Sequence, residues 1–235
     1  METRSSQDRV HRLTFDVEWP PGHVACYLVA GPEPILVDAG APGKTDALRS
    51  VLGEYGYSIG DIDHLVVTHP HVDHVGGVPT IVETANPTVH APIGLETRFA
   101  KSRDGLKTRV RRNCRAAGFS GDSLESVTER AVEPLERNVE LLPPESVDVW
   151  MEPGESVSVG HLEFEGVHLP GHQADHLSYR TEIAGDRALL SGDMGIESFR
   201  PIVLHDRLDD GYRDAFGAFY RALDRMVTLD VDLVY

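Results

Sequence analysis

Cysteine, lysine and long apolar runs are scarce in this 235-residue sequence, and each scarcity excludes a class of protein. Two cysteines, Cys26 and Cys114, are too few for a disulfide framework and form no C-x-x-C pair. The longest apolar runs, such as ACYLVA, fall far short of the roughly 20 residues that a membrane helix needs. The polar stretch METRSSQDRVHR lacks the apolar segment of a secretory signal. We therefore expect a soluble, cytoplasmic protein with no membrane partner.

Positive charge is also scarce. The sequence has 22 Lys and Arg residues, only three of them lysine, against 38 Asp and Glu, which gives a formal net charge of −16. Such an acidic surface favours solubility and disfavours polyanions as default partners. With 235 residues, 40% of them hydrophobic, the chain is long enough for one substantial core. We therefore expect a single domain over residues 1–235.

The order of predicted elements is strands, then helices, then strands again. Apolar runs bounded by Gly and Pro turns predict strands at 11–19 and 23–31. Residues from about 94 to 142 carry no strand pattern and predict two helices separated by AAGFSGDS. Strands resume from Ser146, and a helix at 212–228 precedes a last strand. This order predicts an α+β fold, a sheet-on-sheet core flanked by helices, with a helical insertion at about 94–142.

The stretch THPHVDHVGG follows a short buried strand and concentrates four ligand-type side chains: His69, His71, Asp73 and His74. Side chains i and i+2 of an extended segment share a face, so His69 and His71 can bind one metal ion. Neutral imidazoles and carboxylates are ligands that Zn²⁺ prefers. Asp73 and His74 lie past the turn and can face a second position close by. The alternative interpretation is a chance His-rich surface loop.

Two later segments place a further ligand-type residue at the end of an apolar strand. His172 follows a Pro-Gly turn in LPGHQADH, and Asp193 follows a glycine in LLSGDMG. The loops of a sandwich gather at its strand ends, so these residues can supply a third nitrogen and an oxygen that bridges two metals.

In this order, H-x-H-x-D-H at residues 69–74, PGH ending at His172 and SGD ending at Asp193 resemble the metallo-β-lactamase fold superfamily. The earlier LVDAG, which contains Asp38, resembles the pattern of that family too. The resemblance covers nearly the whole chain. It implies an αββα sandwich with metals in the cleft between the edges of its two sheets.

The resemblance also implies a role for each ligand-type residue. The first metal is held by His69, His71 and His172, the second by Asp73 and His74, and Asp193 bridges them. The implied metal is Zn²⁺, one or two ions per chain, with Fe or Mn as alternatives. Two neighbouring cations lower the pKa of a shared water toward neutrality and polarise the scissile bond. The implied activity is hydrolysis by a metal-bound hydroxide, which the catalytic Asp73 orients.

Four residues are predicted to support the ligands without binding metal: Asp38, Thr68, Asp175 and His176. In the family pattern Asp38 supports the metal loop. GHQADH, with Asp175 and His176, looks like the GHxxDH of the glyoxalase-II-like and lactamase-like-protein branch, whose members cleave thioesters or RNA. Asp175 or His176 can orient a ligand through a hydrogen bond.

The sequence departs from the family pattern near its C-terminus. The second metal of the family usually takes a last His from a PGHG-like turn after a final strand, whereas this sequence stops at DLVY. We therefore expect the domain to end before the last metal-binding turn of the family. Either residues beyond Tyr235 supply the ligand or the second site is incomplete. His205 and His176 are candidate substitutes, although neither matches the motif.

Basic residues concentrate in the first predicted helix of the insertion, where only Asp104 opposes them: Arg98, Lys101, Arg103, Lys107, Arg109, Arg111, Arg112 and Arg115. One interpretation is a surface whose arginines pair with glutamates of the neighbouring helix. The other is a site for an anionic group of the substrate, with Arg111 and Arg112 as substrate-binding residues.

The sequence thus predicts a metal-dependent hydrolase of an ester, thioester or related bond in a small anionic substrate. A ribonuclease of the same fold is an alternative, although the sparse aromatic residues form no stacking platform for nucleic acid. A mononuclear iron oxidoreductase acting on persulfides is another, because the last His is absent. A regulatory protein with a vestigial site is the fourth hypothesis, and the oligomeric state stays open.

Overall fold

The computed structural model describes residues 9–196, 203, 206, 208–211 and 214–235. Within these residues the chain forms two β-sheets. In spatial order, the first contains β1 (Val10–Asp16), β2 (His23–Val29), β3 (Ile35–Val37), β4 (His64–Val66), β5 (Thr88–Pro92) and β6 (Val149–Met151). The second contains β7 (Ser156–Val159), β8 (Leu162–His168), β9 (Leu177–Ile183), β10 (Asp186–Leu190) and β11 (Leu233–Val234). The chain therefore completes the first sheet before it starts the second.

α-Helices connect the strands and form the insertion. In the described part of the chain they are α1 (Thr45–Glu54), α2 (Val72–Val75), α3 (Val78–Ala85), α4 (Ile93–Phe99), α5 (Arg103–Ala116), α6 (Gly121–Leu141) and α7 (Ala215–Thr228). The insertion between β5 and β6 contains α4, α5 and α6, three helices rather than the two predicted. Ser102 separates the first two, because its hydroxyl accepts a hydrogen bond from the Gly105 amide (3.2 Å) and starts α5. Among the described helices, none combines the length and the apolar character needed to cross a membrane.

The direction of the strands determines where their loops meet. β1, β2 and β3 are antiparallel neighbours, whereas β3, β4, β5 and β6 run parallel. Parallel neighbours need crossover connections, and α1, α3 and the insertion lie in those three connections. The carboxyl ends of parallel strands lie at one edge of the sheet. At that edge Asp38 follows β3, and residues 67–71 follow β4.

Apolar clusters define the layers of the molecule. Side chains alternate along β3, so that Ile35 faces the second sheet and Leu36 faces the helices on the outer side. Phe164 and Tyr179 of the second sheet belong to the same buried cluster as Ile35. On the far side, Phe219 of α7 packs against the outer face of the second sheet. The order is helix, sheet, sheet, helix, which confirms the predicted αββα sandwich.

Candidate metal centre

The loops after β3, β4, β8 and β10 bring the predicted ligands to one end of the sandwich. His69 follows β4 and is fully buried, whereas His71, just before α2, is partly exposed. His172 lies in the loop between β8 and β9. Asp193 lies in a single 3-10 turn after β10, at residues 192–194. The structure therefore brings together side chains that are more than a hundred positions apart in the sequence.

Glycines allow the loop that carries the histidines to lie against the loop after β3. A Cβ at Gly76 would lie 2.2 Å from the Pro42 nitrogen, and one at Gly77 would lie 2.4 Å from the Ala39 carbonyl oxygen. Two backbone hydrogen bonds hold the loops together: the Ala39 amide donates to the His74 carbonyl (2.6 Å), and the Gly76 amide donates to the Gly40 carbonyl (2.8 Å). Close backbone approach thus fixes His74 relative to Asp38.

The first group of candidate ligands consists of His69, His71 and His172, whose ligand atoms lie within 4.8 Å of one another. His172 Nε2 is 2.9 Å from His71 Nδ1. The buried Nε2 of His69 has no hydrogen-bond partner among the described residues. An unpartnered buried nitrogen is costly in a protein interior, and a metal ion would remove that cost.

The second group consists of His69, His74 and Asp193, whose ligand atoms also lie within 4.8 Å of one another. Asp193 Oδ1 is 3.2 Å from His74 Nε2, and Asp193 Oδ2 is 3.3 Å from His172 Nε2. The two oxygens of one carboxylate therefore contact both groups. Asp73 lines the cleft over these residues but belongs to neither group.

Asp38 and Thr68 determine which ring nitrogen of His69 carries hydrogen. The Thr68 amide donates to Asp38 Oδ1 (2.8 Å), and the Thr68 hydroxyl donates to Asp38 Oδ2 (2.8 Å). Because the hydroxyl hydrogen is engaged there, His69 Nδ1–H donates to Thr68 Oγ1 (2.9 Å). The lone pair of His69 is then on Nε2, the atom that faces the other ligands.

Asp38 also holds His74. His74 Nδ1–H donates to Asp38 Oδ2 (2.8 Å), which leaves Nε2 directed at Asp193. Asp38 itself is buried and has a left-handed backbone conformation with φ of 61°. That conformation costs a non-glycine residue about 1–2 kcal/mol. Such strain is typical of functional sites, where the surrounding contacts hold the residue in place.

The surroundings favour the protonation states that metal binding requires at His69 and Asp193, but not at His74. Burial, together with the neighbouring imidazoles, holds the pKa of His69 well below its ordinary value, so this ring is neutral. Burial acts to raise the pKa of Asp193, but the nearby histidines, led by His74, outweigh it and lower the pKa. The pKa of His74 is raised well above its ordinary value, because the Asp193 and Asp38 carboxylates outweigh its burial. A neutral imidazole beside an ionised carboxylate is the donor set of a divalent cation, so His69 and Asp193 fit such an ion. An ion bound at His74 Nε2 would displace a proton from that ring.

A cleft of about 730 Å³ opens over this centre. One wall is formed by the hairpin of β1 and β2, with Arg12, Trp19 and Tyr27, and the opposite wall includes Leu135 of α6. None of these wall residues was predicted from the sequence. In the sequence these residues show only the usual periodic pattern of apolar and polar side chains along a strand or helix. That pattern cannot distinguish a cleft wall from an ordinary surface.

Asp175 and His176 were predicted to orient a metal ligand, but neither forms a hydrogen bond to a candidate ligand among the described residues. Asp175 accepts a hydrogen bond from Arg98 Nε (2.5 Å) rather than from a candidate ligand. His176 is fully buried beside His69, with ring centroids 5.0 Å apart, and neither of its ring nitrogens has a hydrogen-bond partner among the described residues. Burial lowers the pKa of His176 to about 3. A Cβ at Gly192 would lie 2.5 Å from His176 Nε2, so only glycine fits beside this ring.

The structure does not place Arg111 or Arg112 in the cleft. Arg111 pairs with Glu125 of α6, and Arg112 Nη2 lies 2.5 Å from Asp210 Oδ1. Other cations of α5 also pair with glutamates of α6, as in the pairs Arg103–Glu136 and Lys107–Glu129. The substrate-binding role predicted for Arg111 and Arg112 therefore gains no support from their positions, because acidic side chains already neutralise these cations. His205, the other candidate substitute ligand, lies outside the described residues.

Arg98 joins the insertion to the loop that carries His172. Besides Asp175, its guanidinium contacts Asp209 (3.0 Å) and Asp206 (3.7 Å), and all three acidic side chains are largely buried. Burial raises the pKa of Asp206 to about 6 despite the nearby guanidinium. Arg98 was noted in the sequence only as one member of a basic helix.

Replacing Arg98 with leucine should destabilise the fold by about 3–5 kcal/mol, because it leaves the carboxylates of Asp175 and Asp206 without a counter-charge among the described residues. Urea unfolding followed by circular dichroism measures this change. Arg111→Leu is the matched control, because its ion pair with Glu125 is exposed and should contribute little. Equal unfolding midpoints for the two variants would show that the Arg98 cluster has no special role in stability.

Comparison with known proteins identifies the class to which this fold and centre belong. The family model of the metallo-beta-lactamase superfamily matches residues 19–235. Because the match covers most of the chain, the protein belongs to that superfamily. Among solved structures, a metallo-beta-lactamase family protein from Thermus thermophilus superposes with a TM-score of 0.68 at 22% identity, covering 97% of this chain and 72% of its own. At that identity the likeness concerns the fold.

Two curated relatives differ in their named activities. A hydroxyacylglutathione hydrolase of Rhodopseudomonas palustris (strain HaA2) is 27% identical over 172 residues, which are 71% of this chain and 46% of that enzyme. Ribonuclease J 1 of Streptococcus pyogenes serotype M3 is 39% identical over 70 residues, 27% of this chain and 12% of that enzyme. The chain thus spans about half the length, or less, of these two relatives.

Proposed function

We propose that this protein is a metal-dependent hydrolase of an ester, thioester or related bond in a small anionic substrate, acting in the cytoplasm. The observation that carries the proposal is the convergence of two ligand groups, both containing His69, at the base of an open cleft. Zinc suits these imidazole and carboxylate donors, with one or two ions per chain. When bound, such an ion polarises the scissile bond and lowers the pKa of a coordinated water toward neutrality.

The residues of the chain supply positioning and proton handling. Asp38 and Thr68 hold His69 and His74 with their Nε2 atoms directed inward. Asp193 places one carboxylate between the two ligand groups. Asp73, on the wall of the cleft, is positioned to orient the attacking water and accept its proton. Neither cysteine lines the cleft, so water rather than a thiol is the nucleophile in this proposal.

The relatives support a thioester more than a nucleic acid. The match to a hydroxyacylglutathione hydrolase extends over 71% of the chain, whereas the match to ribonuclease J 1 extends over 27%. A ribonuclease needs cations free to contact phosphates, and the cations of α5 are largely paired with acidic side chains. We therefore place the ribonuclease hypothesis second.

A substrate panel tests the proposed function. Zinc-loaded protein should hydrolyse at least one member of a set of acyl-glutathione thioesters and aryl esters, lose that activity with a chelator, and regain it when zinc is restored. Cleavage of single-stranded RNA that weakens steeply with salt would instead favour the ribonuclease. Absence of turnover on every ester and thioester would refute the hydrolase.

The Asp73→Asn variant tests whether Asp73 contributes to the catalytic rate without contributing to metal binding. Asp73 belongs to neither compact ligand group, so the variant should keep most of the metal held by His69, His71 and His172. An amide cannot accept the proton that the carboxylate accepts, and we expect a fall in kcat of about 100-fold. Metal analysis alongside steady-state kinetics measures both effects. A variant with an unchanged kcat would remove Asp73 from the mechanism.

A further inference from the structure

The cleft has a positive charge on the wall formed by β1 and β2. Side chains alternate along β1, so that Val10 and Arg12 share one face while Leu13 faces the helices. Val10 is buried between the two sheets, but Arg12 lies beyond the cover of the second sheet and lines the open cleft. Its neighbour on β2, Tyr27, lines the same wall. The cleft wall is therefore the uncovered continuation of the inner face of the first sheet.

The charge of Arg12 is not neutralised within the described residues. Its Nη2 donates to His23 Nε2 (2.9 Å), and a ring nitrogen that accepts this bond carries no proton. No carboxylate in the described part of the chain forms a salt bridge with Arg12. Arg98, Arg109 and Arg112 of the insertion differ in this respect, since each contacts an aspartate. In a protein of net charge −16, an unpaired guanidinium inside a cleft is available to a ligand.

Apolar side chains line the wall on which Arg12 lies. Trp19, Pro20 and Pro21 form the turn between β1 and β2 and line the cleft, and 46% of the Trp19 surface is exposed. Leu135 faces the cleft from the opposite wall. A ligand that reaches Arg12 from the metal centre thus contacts apolar surface over much of its length.

The pairing of the strands indicates the length of that ligand. Arg12 lies opposite Tyr27, and Tyr27 lies opposite Val37, the last residue of β3. Adjacent strands are about 4.8 Å apart, so the backbones of Arg12 and Val37 are separated by roughly 10 Å. Val37 precedes Asp38, which bonds His74 of the metal centre. A group held at Arg12 therefore lies several bond lengths from the reacting bond.

We propose that Arg12 binds a carboxylate at the far end of the substrate, and that the substrate class is an ester or thioester whose acyl chain is apolar and ends in that carboxylate. Arg12 donates hydrogen bonds to the carboxylate, and the apolar wall at Trp19 and Pro21 packs against the chain. The assignment of the reacting bond to the metal centre rests on the proposed function. The anion site itself rests on the cleft alone.

Calorimetric titration of zinc-loaded protein with octanoate and with octanedioate tests the proposal. The two probes have the same chain length, and only octanedioate has a second carboxylate. The wild-type protein should bind octanedioate about tenfold more tightly, as a charge-assisted hydrogen bond predicts. Arg12→Gln should bind both probes with similar affinity, and Arg12→Lys should recover part of the preference. Arg112→Gln, which removes an equal charge outside the cleft, should keep the wild-type preference.

Two results would overturn the carboxylate site: no preference for octanedioate in the wild type, including no binding of either probe, or an undiminished preference in Arg12→Gln. Hydrolysis of the panel of esters and thioesters by the wild type, measured separately, distinguishes this failure from failure of the hydrolase proposal. Turnover without the preference leaves the hydrolase standing and removes the site. The preference without turnover supports the site and refutes the hydrolase.

Discussion

Replacing His71 by alanine is expected to remove the metal ion of the first ligand group and to lower kcat/KM on the order of a thousandfold. His71 Nδ1 lies 2.9 Å from His172 Nε2, and both belong to the first ligand group. Without one of its three nitrogens the group no longer closes around an ion. The several kcal/mol of transition-state stabilisation that an ion supplies would then be lost, and each 1.4 kcal/mol corresponds to about a factor of ten in rate. Metal content and kcat/KM of the same preparation measure the two losses together.

His161→Ala is the matched control for this experiment. His161 is exposed in the turn between β7 and β8, lines no part of the cleft and belongs to neither ligand group. It should keep wild-type metal content and rate. A His71→Ala protein with wild-type metal content and full activity would contradict the assigned centre.

Replacing Asp193 by asparagine is expected to leave at most one metal ion per chain and to lower kcat about 100-fold or more. The Asp193 oxygens contact His74 on one side and His172 on the other, so this side chain links the two ligand groups. Asparagine has the same shape, but it lacks the negative charge and presents an amide nitrogen to one of the two positions. Losses of 10- to 100-fold are typical even for residues that only support a ligand.

Asp224→Asn is the control for this substitution, because Asp224 is exposed on α7 and its replacement removes the same charge away from the cleft. Thermal unfolding of both variants should be close to that of the wild type, so that a loss of rate is not a loss of fold. If Asp193→Asn kept two ions per chain, the linking role of the carboxylate would be wrong.

Much of the architecture follows from local pattern. Apolar runs and turn residues predicted the two sheets and the helical insertion, because burial on one or both faces leaves a period in the sequence. The ligand candidates were also accessible, since four of them lie within residues 69–74 and His172 and Asp193 follow apolar strands. The break at Ser102 was missed, because a serine inside a polar helix pattern does not by itself show where a helix ends.

Long-range partners were harder to predict. The contact of Arg98 with Asp209 joins side chains 111 positions apart, and no local period encodes such a pair. The charges of α5 suggested either a substrate site or an acid-paired surface, and only the three-dimensional arrangement shows the pair of Arg111 with Glu125. Arg12 carried no sequence signal, because an arginine at alternate positions of an edge strand is usual on any solvent-exposed surface.

The metal content of the wild-type protein, purified without added metal and analysed by mass spectrometry, tests the central claim most directly. The arrangement of His69, His71, His74, His172 and Asp193 predicts one or two zinc ions per chain, with hydrolytic activity that rises in proportion to zinc occupancy. A single iron ion would instead favour the oxidoreductase. Protein that binds no metal even after incubation with zinc would contradict the account.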